Sequence, residues 1–347
     1  MNYPLIITGA GASYDFLVRN EYPQTDNDLD SWIPPLTNEL FKREFQPILD
    51  KYPEMDELVG YIKSKLRNNQ NQTFELILSK LFNEKATKNN DLFKSFMALL
   101  FYLSDLFNKI SNIYYRRGNN YHALIEIIKH TSGKAVFINY NYDLLLEKSL
   151  GKTDIKHIDH YISEPFPIIK AHGAYNWYWQ RLVNAWGEEK KTSYEISVNY
   201  SKPLFDTNQD RSKWGLSILK DLDNPNRLSS IKVSTLSAYS SHPAIALPIV
   251  NKNSYICPVG HINFLKNKIK EIDRILIIGW RMVDPFLINL LLDELNLRKI
   301  PIAYIGGKDL KSHINSLNKT IKESIVLINK KGFSDFLSSD EDENFLT

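Results

Sequence analysis

Cysteine is almost absent: Cys257 stands alone among 347 residues. A single thiol excludes a disulfide framework within the chain, and with it any structural zinc site built on cysteine pairs. A reducing, cytoplasmic setting is expected. Also missing is an excess of one charge, since 43 Lys and Arg stand against 40 Asp and Glu for a formal +3. Binding to nucleic acid calls for a basic face or run, so no direct contact with it is expected, and Arg116-Arg117 reads as a solvated helix end. Long apolar runs are lacking too. The richest, "FMALLFYLSDLF" from Phe96, is broken by Asp105 and is shorter than the roughly 20 residues that cross a bilayer, which predicts a core helix and no membrane span. The N-terminus carries no charged stretch or small-residue cleavage site and reaches Gly9 too early for a signal peptide.

What is present is a set of short, near-continuous apolar runs: "LIITG" from Leu5, "AVFINY" from Ala135, "PIIKAHG" from Pro167, "RILIIGW" from Arg274 and "PIAYIGG" from Pro301, with "SIVLINK" from Ser324 as a final strand. Runs of Val, Ile and Leu without alternation, most followed by helical spacing, indicate strands buried on both faces of a parallel sheet. The fold class is therefore α/β, a Rossmann-like doubly wound sheet. About a hundred residues separate the first two strands, far more than one crossover helix needs. They include the helical stretches "TFELILSKLF" from Thr73 and "YHALIEIIKH" from Tyr121. Residues 30–130 are thus expected to be a helical insertion, and residues 176–240, rich in Trp, Tyr, Asn and Ser, a smaller insertion or lid. The core would comprise 1–29, 131–175 and 241–335, and 336–347 would form an acidic, mobile tail.

Ligands of open α/β sheets bind beyond the carboxyl ends of the strands, so residues at those ends are the candidates. The first strand ends in Gly9-Ala10-Gly11-Ala12-Ser13. Two glycines two apart suit a tight turn into a helix N-terminus that accepts phosphate, although Tyr14 stands where a dinucleotide fingerprint has its third glycine. The same residues also suit a bare turn capped by Ser13. The second strand ends in Asn139-Tyr140-Asn141-Tyr142-Asp143 before "LLLEKSL". Its amides and carboxylate suit a ribose or carboxamide, and Asp143 equally suits a helix cap. The third ends in Lys170-Ala171-His172-Gly173, with Trp177 and Trp179 close behind. His172 is a candidate general base, with a structural histidine as the plain alternative, and Gly173 would let a substrate approach the backbone. The fourth ends in Gly279-Trp280-Arg281-Met282-Val283-Asp284-Pro285, a generic strand-to-helix junction with proline at the first turn.

Taken together and in chain order, Gly-Ala-Gly-x-Ser, Tyr-Asn-Tyr-Asp with Glu147 four residues on, His-Gly, and Gly-Trp-Arg-x-x-Asp-Pro resemble the sirtuin superfamily. Within it they are most similar to the SIR2-like NAD-consuming proteins of bacterial anti-phage defence. The resemblance covers the α/β core, about half of the chain, and the insertions match nothing. It implies NAD⁺ as substrate, with Gly9, Ala10, Gly11 and Ser13 around the phosphates, and Asn141 and Asp143 at the nicotinamide ribose and carboxamide. It further implies His172 as the base acting through the ribose hydroxyls. Gly279, Arg281 and Asp284 would belong to the adenosine side, where many relatives carry Ser or Thr in place of this arginine.

Deacylase sirtuins also carry two CxxC pairs for zinc, which a chain with one cysteine cannot hold, and a loop arginine for which only Arg19 stands in here. The resemblance therefore implies an NAD⁺ glycohydrolase without zinc that depletes NAD⁺ in an abortive-infection system. NAD-dependent deacylation, ADP-ribosyl transfer and a non-catalytic NAD- or ADP-ribose-binding module are the alternatives. It also implies a homo-oligomer and a regulatory partner in trans, a HerA-type ATPase first and a short Argonaute second.

Overall fold

The computed structural model describes residues 3–16, 32–68, 72–83, 90–115, 119–182, 191–200, 215–219, 239–249, 256–307, 310–315, 317–339 and 341–346. Arg19 and Arg116-Arg117 lie outside them. The strands among the described residues are β1 (Tyr3–Thr8), β2 (Val136–Asn139), β3 (Ile168–Lys170), β4 (Gly173–Leu182), β5 (Gly215–Ile218), β6 (Tyr239–Ile245), β7 (Ile272–Ile278), β8 (Ile302–Ile305) and β9 (Ile325–Asn329). The chain divides into two compact units, each assembled from separated stretches: 1–34, 114–172 and 257–347 in one, 35–113 and 173–256 in the other.

The first unit is built on a six-stranded sheet of order β3-β2-β1-β7-β8-β9, parallel at every pairing. All six expected apolar runs are strands of this sheet. Every residue of β1, β2, β3 and β8 is buried, which is why these strands read as unbroken apolar runs instead of alternating ones. At the edge, β9 leaves Val326 and Ile328 exposed. Chain order runs outward in one direction from β1 to β3 and in the other from β7 to β9. The sheet is doubly wound, and its switch point lies between β1 and β7.

Two boundaries differ from expectation. The helix Asn120–Thr131 belongs to this unit and not to the insertion. It buries Tyr121, Leu124, Ile125 and Ile128, and the Tyr121 hydroxyl lies 3.3 Å from Ser13 Oγ. The expected loose tail ends in a short helix, Glu341–Leu346. Leu346 is buried there and the Phe345 carbonyl accepts a hydrogen bond from Arg274 at 2.9 Å. Leu346 is thus buried in spite of the acids before it.

The second unit joins what were expected to be two insertions. Its centre is the helix Asn90–Ile113, which buries sixteen of its residues, Asp105 among them. The helix packs on β4 and β6 of an antiparallel sheet ordered β5-β4-β6, and Ser104 donates to the Tyr175 carbonyl at 2.8 Å. Residues 173–175 and 241–256 therefore fall in this unit and not in the core. Trp177 is a fully buried core residue. Gly173 has φ +76°, and a Cβ there would stand 1.9 Å from the Ala244 carbonyl oxygen. Its missing side chain makes room for β6, not for a substrate. Among the described residues no helix is long and apolar enough to cross a membrane.

Candidate functional site at the sheet switch point

Every candidate residue except Gly173 lies in the first unit. At the switch point the turns after β1 and β7 interlock. Gly9 N–H donates to Ile278 O at 2.9 Å and Gly11 N–H to Gly279 O at 3.0 Å. A Cβ on Gly9 would meet Gly279 O at 2.6 Å and Trp280 Cα at 2.8 Å, and one on Gly11 would meet Gly279 Cα at 2.7 Å. Gly279 itself has φ +61°, and its Cβ would lie 2.3 Å from Ala12 N. The glycines thus let two backbones and the Trp280 side chain share a space that no side chain leaves open. Ala10 opens the five-residue helix that follows.

Across β1, the strand end of β2 is tied to this turn by Asn141. Its Nδ2 donates to Gly9 O at 3.0 Å and to Ser13 Oγ at 2.9 Å. A carbonyl only accepts, so the Gly9 bond fixes which end of the amide is nitrogen. Both amide protons are committed, and the acceptor Oδ1 is the remaining polar atom of the Asn141 side chain. Asn139 supports the loop from below, accepting from Thr8 Oγ1 at 3.2 Å and from Asn141 N–H at 2.9 Å.

Asp143 is buried, and one carboxylate oxygen accepts from Leu145 N–H at 3.1 Å, one residue ahead of the N-cap position, which Leu144 occupies. Beneath the loop lies Lys170, fully buried at the end of β3. It donates to the carbonyls of Asn141 at 2.6 Å and Asp143 at 2.7 Å and pairs with the buried Glu147 at 3.0 Å. Burial foremost pushes the Asp143 and Glu147 carboxyls above the usual carboxylate range, with Lys170 pulling the other way.

His172 is half-buried in an aromatic group. Its ring meets Tyr140 edge-on, centroids 4.7 Å apart, and Tyr142 at 6.4 Å. Tyr140 stacks on Trp280 at 4.5 Å with planes 10° apart, an arrangement that spans the end of β1. Its hydroxyl donates to Asp284 Oδ2 at 3.1 Å, while Asp284 Oδ1 accepts from the amides of Phe286 and Leu287. Asp284 is thus the N-cap of the helix Pro285–Leu297 and also the anchor of the stack. Arg281 is exposed, and its carbonyl accepts from the His313 ring.

The fold therefore gathers Gly9, Gly11, Ser13, Asn141, Asp143 and Gly279 into one bonded cluster, sets His172 among aromatics beside it, and leaves the Arg281 side chain outward. Sequence reasoning gave no role to Lys170, Tyr140 or Trp280. A lysine ending an otherwise apolar strand was the available signal for the first. The stack had none, since Tyr140 and Trp280 are far apart in the chain and meet only because β2 and β7 both flank β1.

No family model matches the chain, and no curated protein does. Solved structures are similar to it. A Sir2 homologue variant in complex with 2′-O-acetyl-ADP-ribose matches with a TM-score of 0.48 and 13% identity, covering 99% of this chain and 91% of that one. A Sir2 homologue variant with ADP-ribose gives 0.46 and 12% over 99% and 91%. A Sir2 homologue with NAD gives 0.43 and 12% over 99% and 89%.

Proposed function

We propose that the chain is an NAD⁺ glycohydrolase, cleaving NAD⁺ to ADP-ribose and nicotinamide. The observation that carries the reading is the fixation of Asn141: both its protons are held by the glycine turn, which leaves Oδ1 as a preorganised acceptor at the switch point. An acceptor in that place orients a water or a ribose hydroxyl without competing for an anionic phosphate. In the reaction the bond from ribose C1′ to the nicotinamide nitrogen breaks, its electron pair leaves with the nitrogen, and the pyridinium departs neutral. Water adds to the oxocarbenium-like carbon and loses a proton. His172 takes that proton through the ribose hydroxyls, a role worth about 10²- to 10⁴-fold in rate. Orientation and stabilisation of developing charge supply the rest.

In this reading Gly9, Ala10, Gly11 and Ser13 face the phosphates, Asp143 the carboxamide, and Gly279, Arg281 and Asp284 the adenosine side. Such an activity drains the cell that carries it, which suits an abortive-infection effector held in check by self-assembly into a homo-oligomer or by a partner such as a HerA-type ATPase or a short Argonaute. The test is nicotinamide release from NAD⁺ by the purified protein, alone and with candidate partners. Turnover that falls at least a hundredfold in Asn141→Ala and His172→Ala is expected. Absence of turnover in every condition, or full activity in both variants, overturns the reading, and release that requires an acyl-lysine peptide replaces it with deacylation.

A further inference from the structure

We infer that Lys170 is a positioning residue, a buried clamp that fixes the Asn141–Asp143 loop, with Glu147 as its counter-charge; the inference rests on Asn141 and Asp143 being working residues of the site. A fully buried ammonium forfeits its hydration, and the loss is offset only when its protons find acceptors and its charge a partner. Here it donates to the Asn141 carbonyl at 2.6 Å and the Asp143 carbonyl at 2.7 Å, and Glu147 Oε1 stands 3.0 Å away as its ion-pair partner. Both hydrogen-bond acceptors belong to the two residues whose side chains the reaction uses. A shift of Lys170 Nζ therefore turns both peptide planes, and with them the directions in which Asn141 and Asp143 point.

Packing alone does not require a charge at this position. Methionine would fill the space under the loop, but it would leave two buried carbonyls without donors. Glu147 lies in the helix Leu145–Ser149, into which the loop runs, and Asp143 accepts from Leu145 N–H at the start of that helix. The clamp thus holds the loop from β3 on one side and from its own helix on the other. Lys170 also stands two residues before His172 on the same strand end, so one short segment sets both the loop and the candidate base.

The experiment compares the full-length protein with Lys170→Met/Glu147→Leu, which removes both charges together and avoids stranding one of them. Thermal melting checks that the variant folds. We expect kcat for nicotinamide release to fall at least tenfold while KM for NAD⁺ moves by less than threefold, a split that a merely structural pair would not give. Amide hydrogen exchange supplies a readout independent of turnover. Residues 139–146 should exchange at least tenfold faster in the variant, with β1 unchanged. Wild-type kcat, or unchanged exchange in 139–146, overturns the clamp. Absence of nicotinamide release by the wild type sinks the functional reading while the exchange result still decides the clamp. If the double variant does not fold, Lys170→Arg/Glu147→Asp replaces it. That pair keeps the charges and their summed length, but a planar guanidinium cannot aim one nitrogen at both carbonyls and the carboxylate, so the same loss of kcat is expected and its absence counts against the clamp.

Discussion

Gly279 and Gly133 show how differently one residue type acts in this protein. Both have positive φ, +61° and +71°, but a Cβ on Gly279 would collide with Ala12 and Gly11, whereas one on Gly133 would meet nothing within 4 Å. Left-handed backbone costs a non-glycine residue about 1–2 kcal/mol, and forcing extra atoms into packed space adds about 1–3 kcal/mol. Gly279→Ala should therefore destabilise the first unit by about 2–5 kcal/mol and Gly133→Ala by about 1–2 kcal/mol, read from denaturant midpoints. At the same scale, Asn141→Asp keeps the shape but removes both donors to Gly9 O and Ser13 Oγ. It should abolish nicotinamide release and lower stability by about 1–3 kcal/mol, the cost of leaving buried groups unpaired.

At the scale of elements, the junctions between short helices matter more than the helices. The helix Phe333–Leu337 has Gly332 at its N-cap position and no cap of its own. Asp15, at the end of the helix Ala10–Tyr14, substitutes for one by accepting from Ser334 N–H at 3.0 Å and from Ser334 Oγ at 2.7 Å. Asp15→Ala should cost about 1–2 kcal/mol, as the loss of a good cap does, and Asp15→Asn should recover part of it. In the second unit the helix Asn90–Ile113 contributes by burial. Phe101 is fully buried there, and Phe101→Ala should cost about 3–5 kcal/mol through lost transfer energy and the cavity left behind. Differential scanning calorimetry of the two variants would check both figures.

For the molecule as a whole, the buried carboxyls set a dependence on pH. Asp143 and Glu147 bind protons more tightly in the folded state than at their ordinary values of 3.8 and 4.5, chiefly through burial. A carboxyl with a raised folded pKa keeps its proton where the unfolded chain has released it. Stability is then greatest below the unfolded pKa and falls as pH rises through the window up to the folded value, by at most about 1.4 kcal/mol per pH unit for each group. Glu147→Gln removes one such group. The stability of the wild type relative to this variant should decline as pH is raised from about 4.5, and a rising or flat difference in parallel urea titrations would contradict the assignment. Opposing this slope, Lys170 favours the ionised forms of both carboxyls.

The sequence by itself determined the six strands, the burial of β1, β2, β3 and β8 on both faces and the set of residues at the strand ends, because an apolar run and a following Gly, Asn or Asp report local burial and local turns. It carried the helix start at Asp284-Pro285 for the same reason, where Asp284 is the N-cap. Only the tertiary structure decided which strand ends meet. The order β3-β2-β1-β7-β8-β9 brings Asn141 onto the Gly9 turn, stacks Tyr140 on Trp280 and places Lys170 under the loop, and none of these contacts leaves a periodic trace in the chain. The same holds for the second unit: residues 30–130 and 176–240 were legible as separate insertions, whereas the bounds 35–113 and 173–256 and the union of the two segments were not. Local pattern records whether a residue is buried; what it is buried against depends on pairings across a hundred residues and more, which are decided by the packing of the whole unit.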